Sequence, residues 1–228
     1  PDARKIDRIS YEAILELASL GAKVMASRSI LFGMKYNVPI HVRHSMLPDE
    51  GTLITAETKD MEQEEVTGVA LKTNLGRVTL TGLPGGPGVQ SRIFAAVSQA
   101  AIMVDDIIQS EVAPDHTSVS FTVDHADLVD IRPVLDRILK ELGRGEVRVD
   151  VGLCKISAVG VGMRSHTGVA AQMFRALADA RGAAGNSGGI AIQNITTSEI
   201  RISCILAKED GEQALRAVHD AFGLGKRG

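Results

Sequence analysis

The stretch Arg77-Val-Thr-Leu-Thr-Gly-Leu-Pro-Gly-Gly-Pro-Gly-Val-Gln-Ser-Arg-Ile-Phe94 decides the fold, because the chain uses it twice. The second copy is Lys155-Ile-Ser-Ala-Val-Gly-Val-Gly-Met-Arg-Ser-His-Thr-Gly-Val-Ala-Ala-Gln-Met-Phe174. Each copy contains a short β-branched strand, a glycine-bearing turn and a helix that opens at Gly-Val. An offset of 80 residues aligns Pro87 with Thr167 and keeps the apolar spacing of both helices. Two copies are too few for a solenoid, so the repeat predicts a pair of similar domains.

The apolar spacing around each copy predicts the order β-α-β-β-α-β, the split-βαβ plan of ferredoxin-like folds. In the first unit we expect strands at 66–71 and 77–81 joined by a turn at 74–76, then a helix at 89–100, strands at 103–109 and 117–123, a helix at 130–142 and a strand at 146–150. In the second unit we expect a strand at 155–159, a helix at 169–180, strands at 190–196 and 199–206 and a helix at 212–222. The predicted class is α+β, with antiparallel sheets and helices on one face. Residues 181–189 are glycine-rich and form a predicted flexible loop, an insertion in the second copy.

A small, mostly helical segment precedes the repeat. Ser10 is placed to cap a helix at 11–20 that stops at Gly21, and a second helix at 27–36 ends at Asn37. Short strands are predicted at 38–43 and 51–55. These elements would form a hydrophobic core too small for an independent domain, so the segment looks like the end of a larger domain.

The predicted organisation has four parts: residues 1–55, an acidic and solvated linker at 56–65, a first repeat domain at 66–150 and a second at 151–228. An alternative pairing joins the strand at 66–72 to the second domain.

Composition excludes several classes of function. The net charge of −3 provides no basic surface for nucleic acid or an anionic membrane. Aromatic residues make up 3% of the chain, which disfavours binding by ring stacking. No apolar run has the length of a transmembrane helix and no signal-peptide pattern is present, so a cytoplasmic protein is expected. Cys154 and Cys204 lie in apolar strand-like runs, where buried free thiols are expected.

The turn at residues 82–88, called here the glycine turn, is the sharpest candidate for a binding site. A helix N-terminus presents unpaired N–H groups that favour a carboxylate or phosphate, and glycines let the backbone approach such a ligand. The turn matches neither nucleotide-binding glycine motif. A tight turn without a ligand is the equal alternative.

Other polar positions are weaker candidates. Asp105 and Asp106 could face an amine or be ordinary strand-edge carboxylates, and Arg164 and His166 could bind an anion or face solvent. The polar run 196–199 at a strand junction is most simply a turn. No Ser, His and Asp arrangement fits a nucleophile motif, and His41 and His44 have no cysteine or carboxylate at metal spacing. No catalytic residue, metal or cofactor is therefore predicted.

Several motifs together resemble the tandem ACT domains of aspartate kinases. They are Val78-Thr-Leu-Thr-Gly-Leu-Pro84, Asp106-Ile-Ile-Gln109, Gly160-Val-Gly-Met-Arg-Ser-His166 and Thr197-Ser-Glu-Ile-Arg-Ile-Ser203. The segment before the repeat, with Lys35-Tyr-Asn-Val-Pro-Ile-His-Val-Arg43, resembles the last part of the kinase domain. The family's Lys-Phe-Gly-Gly-Thr phosphate-binding strand is absent, so no catalytic activity is expected from this chain alone. The chain looks like the regulatory half of the enzyme, as a fragment or a small subunit.

The resemblance implies a function and a site. In the family, the ACT pair binds threonine and/or lysine at ACT–ACT interfaces and signals inhibition of aspartate phosphorylation, in a homodimer where the first ACT domain of one chain pairs with the second of the other. A catalytic aspartate kinase chain is a further possible partner. By motif position, the effector contacts are Gly85, Gln90, Met103, Val104, Asp105, Gln109, Ala191, Ile192 and Ser198.

Some positions depart from the family pattern. Gly85 stands where the family usually has an aspartate, and Ala191 where it has an asparagine, so a carboxylate and an amide are lost. Two alternatives to a regulatory amino-acid sensor therefore remain. One is a dimerisation module whose effector site has decayed. The other is a small enzyme that uses the glycine turn for a phosphorylated substrate.

Overall fold

A computed structural model describes residues 4–113, 116–182 and 188–225, without the side chains of residues 112 and 113. The chain forms two compact units. The central unit is Asn74–Leu153, and the split unit combines Pro1–Thr73 with Cys154–Gly228. Two long strands, β4 (Gly68–Pro84) and β7 (Glu146–Val159), each contribute to both units.

The central unit is an antiparallel sheet with two helices. Its elements are the second half of β4, then α3 (Val89–Gln99), β5 (Asp105–Ala113), β6 (His116–Asp124), α4 (Leu128–Leu142) and the first half of β7. The strand order is β5-β6-β4-β7, and β6 pairs antiparallel with both β4 and β5. Helices α3 and α4 contact each other.

Alternation along the strands places the core of the central unit on one sheet face. Val78 and Leu80 of β4 are fully buried together with Val119 and Phe121 of β6. The buried residues of both helices join this same cluster, so α3 and α4 pack on the same face. The opposite face is polar. Arg77 donates to Asp150 there at 2.9 Å.

The split unit repeats this plan. Its sheet runs β4-β7-β9-β8, with β8 (Asn194–Ser198) and β9 (Arg201–Ala207) joined as an antiparallel hairpin, and it carries α5 (Val169–Asp179) and α6 (Gly211–Ala221). Helices α3 and α5 both have 11 residues and start 80 positions apart. Each follows a left-handed glycine, Gly88 with φ 93° and Gly168 with φ 102°. The predicted internal repeat and the α+β, ferredoxin-like class are confirmed.

The N-terminal part of the split unit contains β1 (Arg8–Ser10), α1 (Tyr11–Ser19), α2 (Ser27–Tyr36), β2 (Ile40–Val42) and β3 (Thr52–Thr55). The three strands form a small mixed sheet in the order β1-β3-β2. Ser10 caps α1 by accepting from the Ala13 N–H, and Asn37 ends α2 in the left-handed region, both as predicted. Residues of α1 share a buried cluster with Ala70 and Val159, so this segment covers the sheet face that α5 and α6 leave open.

The structure differs from several of the expected strand boundaries, and β5, for example, begins at Asp105 instead of at residue 103. The predicted turn at 74–76 is absent, because β4 continues through Asn74 although that residue has φ 62°. β7 likewise continues through Gly152, which has φ 71°. Both strands have a hydrogen-bonded neighbour on each side, β6 and β7 for β4 and β4 and β9 for β7, so strand pairing outweighs the local preference for a turn.

The last hairpin also begins later than expected. Residues 190–193 are not in a strand, and β8 starts at Asn194. Of the glycine-rich loop at 181–189, residues 183–187 lie outside the described part of the chain.

Candidate functional site

The glycine turn lies between the end of β4 and the start of α3. Its first residue, Gly82, has φ 65° and belongs to a bulge where the pairing with β6 shifts between Leu80 and Leu83. At the far end, Gly86 and Gly88 have φ 107° and 93°, and a Cβ built on either residue would meet nothing within 4 Å. The turn is therefore open where it meets the helix.

The start of α3 has no side-chain cap. Gly88 is its N-cap residue and makes no side-chain hydrogen bond, and the first intrahelical bond is from the Arg92 N–H to the Gly88 carbonyl at 3.1 Å. The backbone N–H groups of residues 89–91 therefore have no carbonyl partner within the helix. Their partial positive charge favours an anionic group at this point.

A side-chain hydrogen bond joins the start of α3 to β5. Gln90 Nε2 donates to Gln109 Oε1 at 2.8 Å, and both side chains reach solvent. Each amide keeps one further hydrogen-bonding atom, the Gln90 oxygen and the Gln109 nitrogen. Two predicted site residues are thereby brought into direct contact beside the glycine turn.

The first residues of β5 have an unusual backbone conformation. Asp106 is 9% exposed and has φ 46°, and its N–H donates to the Asp105 carboxylate at 2.9 Å. The Asp105 carbonyl accepts from the Thr122 hydroxyl at 3.1 Å. A register shift between Asp105 and Ile108 marks a bulge at this point. The Asp105 carboxylate is therefore held close to its own backbone.

Met103 and Val104 line a shallow apolar cleft of about 370 Å³ beside the C-terminal half of α3. Its other lining residues are Phe94, Val97, Ser98, Ala101 and Ile102. Met103 is 84% exposed and Ile107, on β5, is 53% exposed. This end of the central unit is apolar and open.

The predicted site residues of the central unit are therefore spread along β5. Gln109 contacts Gln90, whereas Asp105 begins the strand four residues earlier, roughly 10–13 Å away at about 3.3 Å per residue. Gly85 is half-buried in the glycine turn. The structure brings together Gln90 with Gln109, and Met103 with Val104 at the apolar cleft.

The other predicted residues lie in the split unit. Ala191 is exposed and Ile192 is half-buried against the core of that unit, just before β8, while Ser198 is the exposed last residue of β8. Aligned with the first repeat by the offset of 88 between Ile107 and Ile195, they take the places of Met103, Val104 and Ser110.

The second copy of the turn, residues 162–168, is filled by the chain itself. Arg164 pairs with Glu57 at 3.0 Å and with Glu199 at 3.5 Å. The His166 ring lies 2.8 Å from the Gly162 carbonyl oxygen. A Cβ at Gly162 would overlap the Glu64 carbonyl oxygen. The backbone of the acidic segment 56–65 therefore packs against this turn, while six of its ten residues stay exposed.

Sequence reasoning missed Arg144, which contacts the glycine turn. Its Nε donates to the Gly82 carbonyl at 3.1 Å and its Nη2 to the Leu83 carbonyl at 3.0 Å. The sequence signal that could have indicated this contact is the pair of glycines that flank Arg144, Gly143 and Gly145, directly after α4.

Neither thiol is suited to chemistry. Burial raises the pKa of Cys154 to about 11, with a further contribution from Asp210 and Glu209, and burial raises the pKa of Cys204 to about 12. Among the described residues there is no group of three or more His, Cys, Asp or Glu side chains that could hold a metal ion. No described helix is long and apolar enough to cross a bilayer.

Several known proteins are similar to this chain in sequence and in fold. An ACT domain family model matches residues 156–222. The aspartate kinase of Pseudomonas putida is 42% identical over 225 residues, which is 98% of this chain and 53% of that protein. The ligand-free regulatory subunit of aspartate kinase from Thermus thermophilus is 39% identical, with a TM-score of 0.62 over 69% of this chain and 99% of that chain. E. coli aspartokinase III in complex with lysine and aspartate is 26% identical, with a TM-score of 0.72 over 96% of this chain and 47% of that chain.

The repeated βαββαβ units and the glycine turn ahead of an uncapped helix define an ACT-domain protein. The chain belongs to the aspartate kinase family and corresponds to its regulatory ACT region. It spans about half the length of the curated relatives that it matches.

Proposed function

We propose that the central unit of this chain binds a free amino acid, threonine more tightly than lysine, and thereby lowers aspartate phosphorylation by the kinase of which it is a part. The hydrogen bond from Gln90 to Gln109 carries the proposal, because it fixes two amides beside the uncapped start of α3. The lysine complex of E. coli aspartokinase III supports the choice of an amino acid as ligand.

The start of α3 is suited to the carboxylate of the amino acid. The helix N-terminus has no side-chain cap, and the space around Gly86 and Gly88 is open. A carboxylate placed there accepts from free backbone N–H groups and gains from the helix dipole. The remaining amide atoms of Gln90 and Gln109 can donate to and accept from a small hydroxyl group.

The preference for threonine follows from the charges available. The far end of a lysine side chain needs an acidic partner, and position 85 is glycine. Losing a charge-assisted hydrogen bond costs about 1.5–3 kcal/mol, or roughly tenfold to a hundredfold in affinity. Asp105, at the start of β5, adds negative charge that attracts the ammonium group over a longer distance rather than by direct contact.

The binding surface needs a second surface to enclose the ligand. Asp105 and Gln109 are separated along β5, and no closed pocket joins them in the central unit as described. We propose that an ACT unit of a second copy supplies it, through residues that include Ala191, Ile192 and Ser198. This arrangement also accounts for the exposed Met103 and Ile107, which a partner would cover.

Calorimetric titration of the full chain with threonine and with lysine tests the proposal. We expect threonine to bind weakly and selectively. Asp105→Asn keeps an oxygen acceptor for the Asp106 N–H but removes the charge, so it should weaken threonine binding without changing the oligomeric state. Tighter binding of lysine, or unchanged binding by Asp105→Asn, would contradict the site assignment.

A dimerisation module with a decayed effector site is the second candidate. The apolar cleft with Met103 84% exposed favours it, because this surface could serve association alone. It predicts a stable dimer that binds neither amino acid at millimolar concentration, which the same titrations would reveal.

A further inference from the structure

Arg144 lies in a short turn that packs against the bulge of β4. Gly143 ends α4 in the left-handed region, with φ 76°, and Gly145 has φ 114°. A Cβ at Gly145 would lie 2.8 Å from Leu139 and 3.3 Å from the Thr81 carbonyl oxygen, so the turn comes very near to β4. This close approach brings the Arg144 guanidinium to the glycine turn.

The guanidinium bonds two successive carbonyl groups. Arg144 donates to the Gly82 and Leu83 oxygens at 3.1 and 3.0 Å. These residues lie where the bulge shifts the pairing of β4 with β6. A planar guanidinium can bridge two neighbouring acceptors, whereas the single ammonium of a lysine cannot match that geometry. The contact therefore ties the first two residues of the glycine turn to the end of α4.

The second repeat has no such contact at the aligned position. The same offset of 80 residues places Gly143 on Gly223, Arg144 on Leu224 and Gly145 on Gly225. Leu224 is 7% exposed and packs in the core of the split unit. The Gly-x-Gly turn is thus common to both repeats, but the arginine is specific to the repeat that carries the glycine turn.

We propose that Arg144 is a positioning residue for the amino-acid site, holding the glycine turn so that the start of α3 stays open to the ligand's carboxylate. The proposal rests on the proposed function of that site. If the turn adopts the binding conformation in only a fraction of molecules, apparent affinity falls by that fraction. We expect Arg144→Leu, which copies the second repeat, to weaken threonine binding about threefold to tenfold.

Arg132 provides the matched control. Its Nε lies 3.1 Å from the Asp136 carboxylate in an exposed pair on α4 of the same unit. Arg132→Leu removes the same charge and should bind threonine as the wild type does. Arg144→Lys keeps the charge but cannot bridge the two carbonyl groups. Its affinity for threonine should therefore be closer to that of Arg144→Leu than to that of the wild type.

Hydrogen exchange of the free protein supplies a measurement that is independent of ligand. In Arg144→Leu, the Arg92 amide, which closes the first turn of α3 by donating to the Gly88 carbonyl, should exchange faster than in the wild type or in Arg132→Leu. If the wild type binds no threonine, the proposed function fails, and this exchange pattern still decides whether Arg144 holds the turn. Unchanged exchange in Arg144→Leu, or wild-type affinity in Arg144→Lys, would overturn the positioning role.

Discussion

At the scale of single residues, α3 offers two glutamines that make an internal comparison. Gln90, near the start of the helix, donates to Gln109 of β5, whereas Gln99 is the exposed last residue. The difference in their surroundings, rather than the residue type, places Gln90 in the proposed site.

Gln90→Ala should weaken threonine binding roughly twofold to tenfold, the equivalent of one lost neutral hydrogen bond of about 0.5–1.5 kcal/mol. Gln99→Ala should have no effect on binding, and both variants should keep their helix content, since alanine is a good helix former. Calorimetry with threonine makes the measurement. Equal affinities for the two variants would mean that the amide pair takes no part in binding.

At the scale of elements, the packing of segment 56–65 against the second turn depends on glycine. A Cβ at Gly162 would overlap the Glu64 carbonyl oxygen and lie 2.7 Å from that of Glu62. Because these are backbone atoms, they cannot move aside without shifting the segment. The Arg164–Glu57 ion pair, at 3.0 Å, joins the same segment to the same turn.

Gly162→Ala should therefore lower the free energy of unfolding by about 1–3 kcal/mol, the usual cost of overpacking. The control is Gly188→Ala, because Gly188 has nothing within 4 Å of a built Cβ and no positive φ. Urea denaturation of both variants measures the difference. A Gly162→Ala protein as stable as the control would show that segment 56–65 is not held against this turn.

The polar sheet face of the central unit carries an ion pair between β4 and β7. Asp150 accepts from Arg77 at 2.9 Å and from Arg148 at 3.0 Å. Burial by itself raises the pKa of Asp150, but the hydrogen bonds and charges of the two arginines outweigh it and hold this pKa below the usual range. The pair therefore contributes stability above the ordinary aspartate pKa, and this contribution is lost as the pH falls through the lowered value.

Asp150→Asn should reduce the free energy of unfolding at neutral pH by about 1–3 kcal/mol. The loss should shrink as the pH falls from about 5 to 3, where the wild-type carboxylate becomes protonated. Urea denaturation at several pH values follows this change. Asp136→Asn is the control, because Asp136 forms an exposed pair with Arg132 on α4 that should contribute at most a few tenths of a kcal/mol. Equal, pH-independent losses in the two variants would refute the prediction.

At the scale of the whole molecule, the open surfaces of the central unit predict self-association. Its helices cover one sheet face, and Met103 and Ile107 are exposed near the apolar cleft. An ACT unit from a second copy would bury this surface. Sedimentation at tens of micromolar should give a species of twice the monomer mass, and Met103→Asp should shift it toward monomer. A wild-type monomer at that concentration would count against the dimer.

Much of the architecture could be predicted from the sequence, because local signals and the global fold agree. The repeated strand, turn and helix fixed the starts of α3 and α5, since glycine in the left-handed region and apolar spacing act over a few residues. The cap at Ser10 and the stop at Asn37 are similarly local. The ends of the strands were harder to predict from the sequence. Asn74 and Gly152 favour turns locally, and pairing with neighbouring strands overrode that preference.

The features of the candidate site likewise fall into those that depend on local sequence and those that depend on tertiary contacts. The sequence by itself determined the repeat, the fold class, the family and the glycine turn ahead of α3, because each depends on residues near one another in the chain. The tertiary structure alone decided that Gln90 meets Gln109 and that Arg144 reaches Gly82 from 62 positions away. It also decided that segment 56–65 fills the second turn, with Glu57 on Arg164 at a separation of 107 residues. Such contacts depend on how distant strands and helices pack, and no local pattern of residue types encodes that packing.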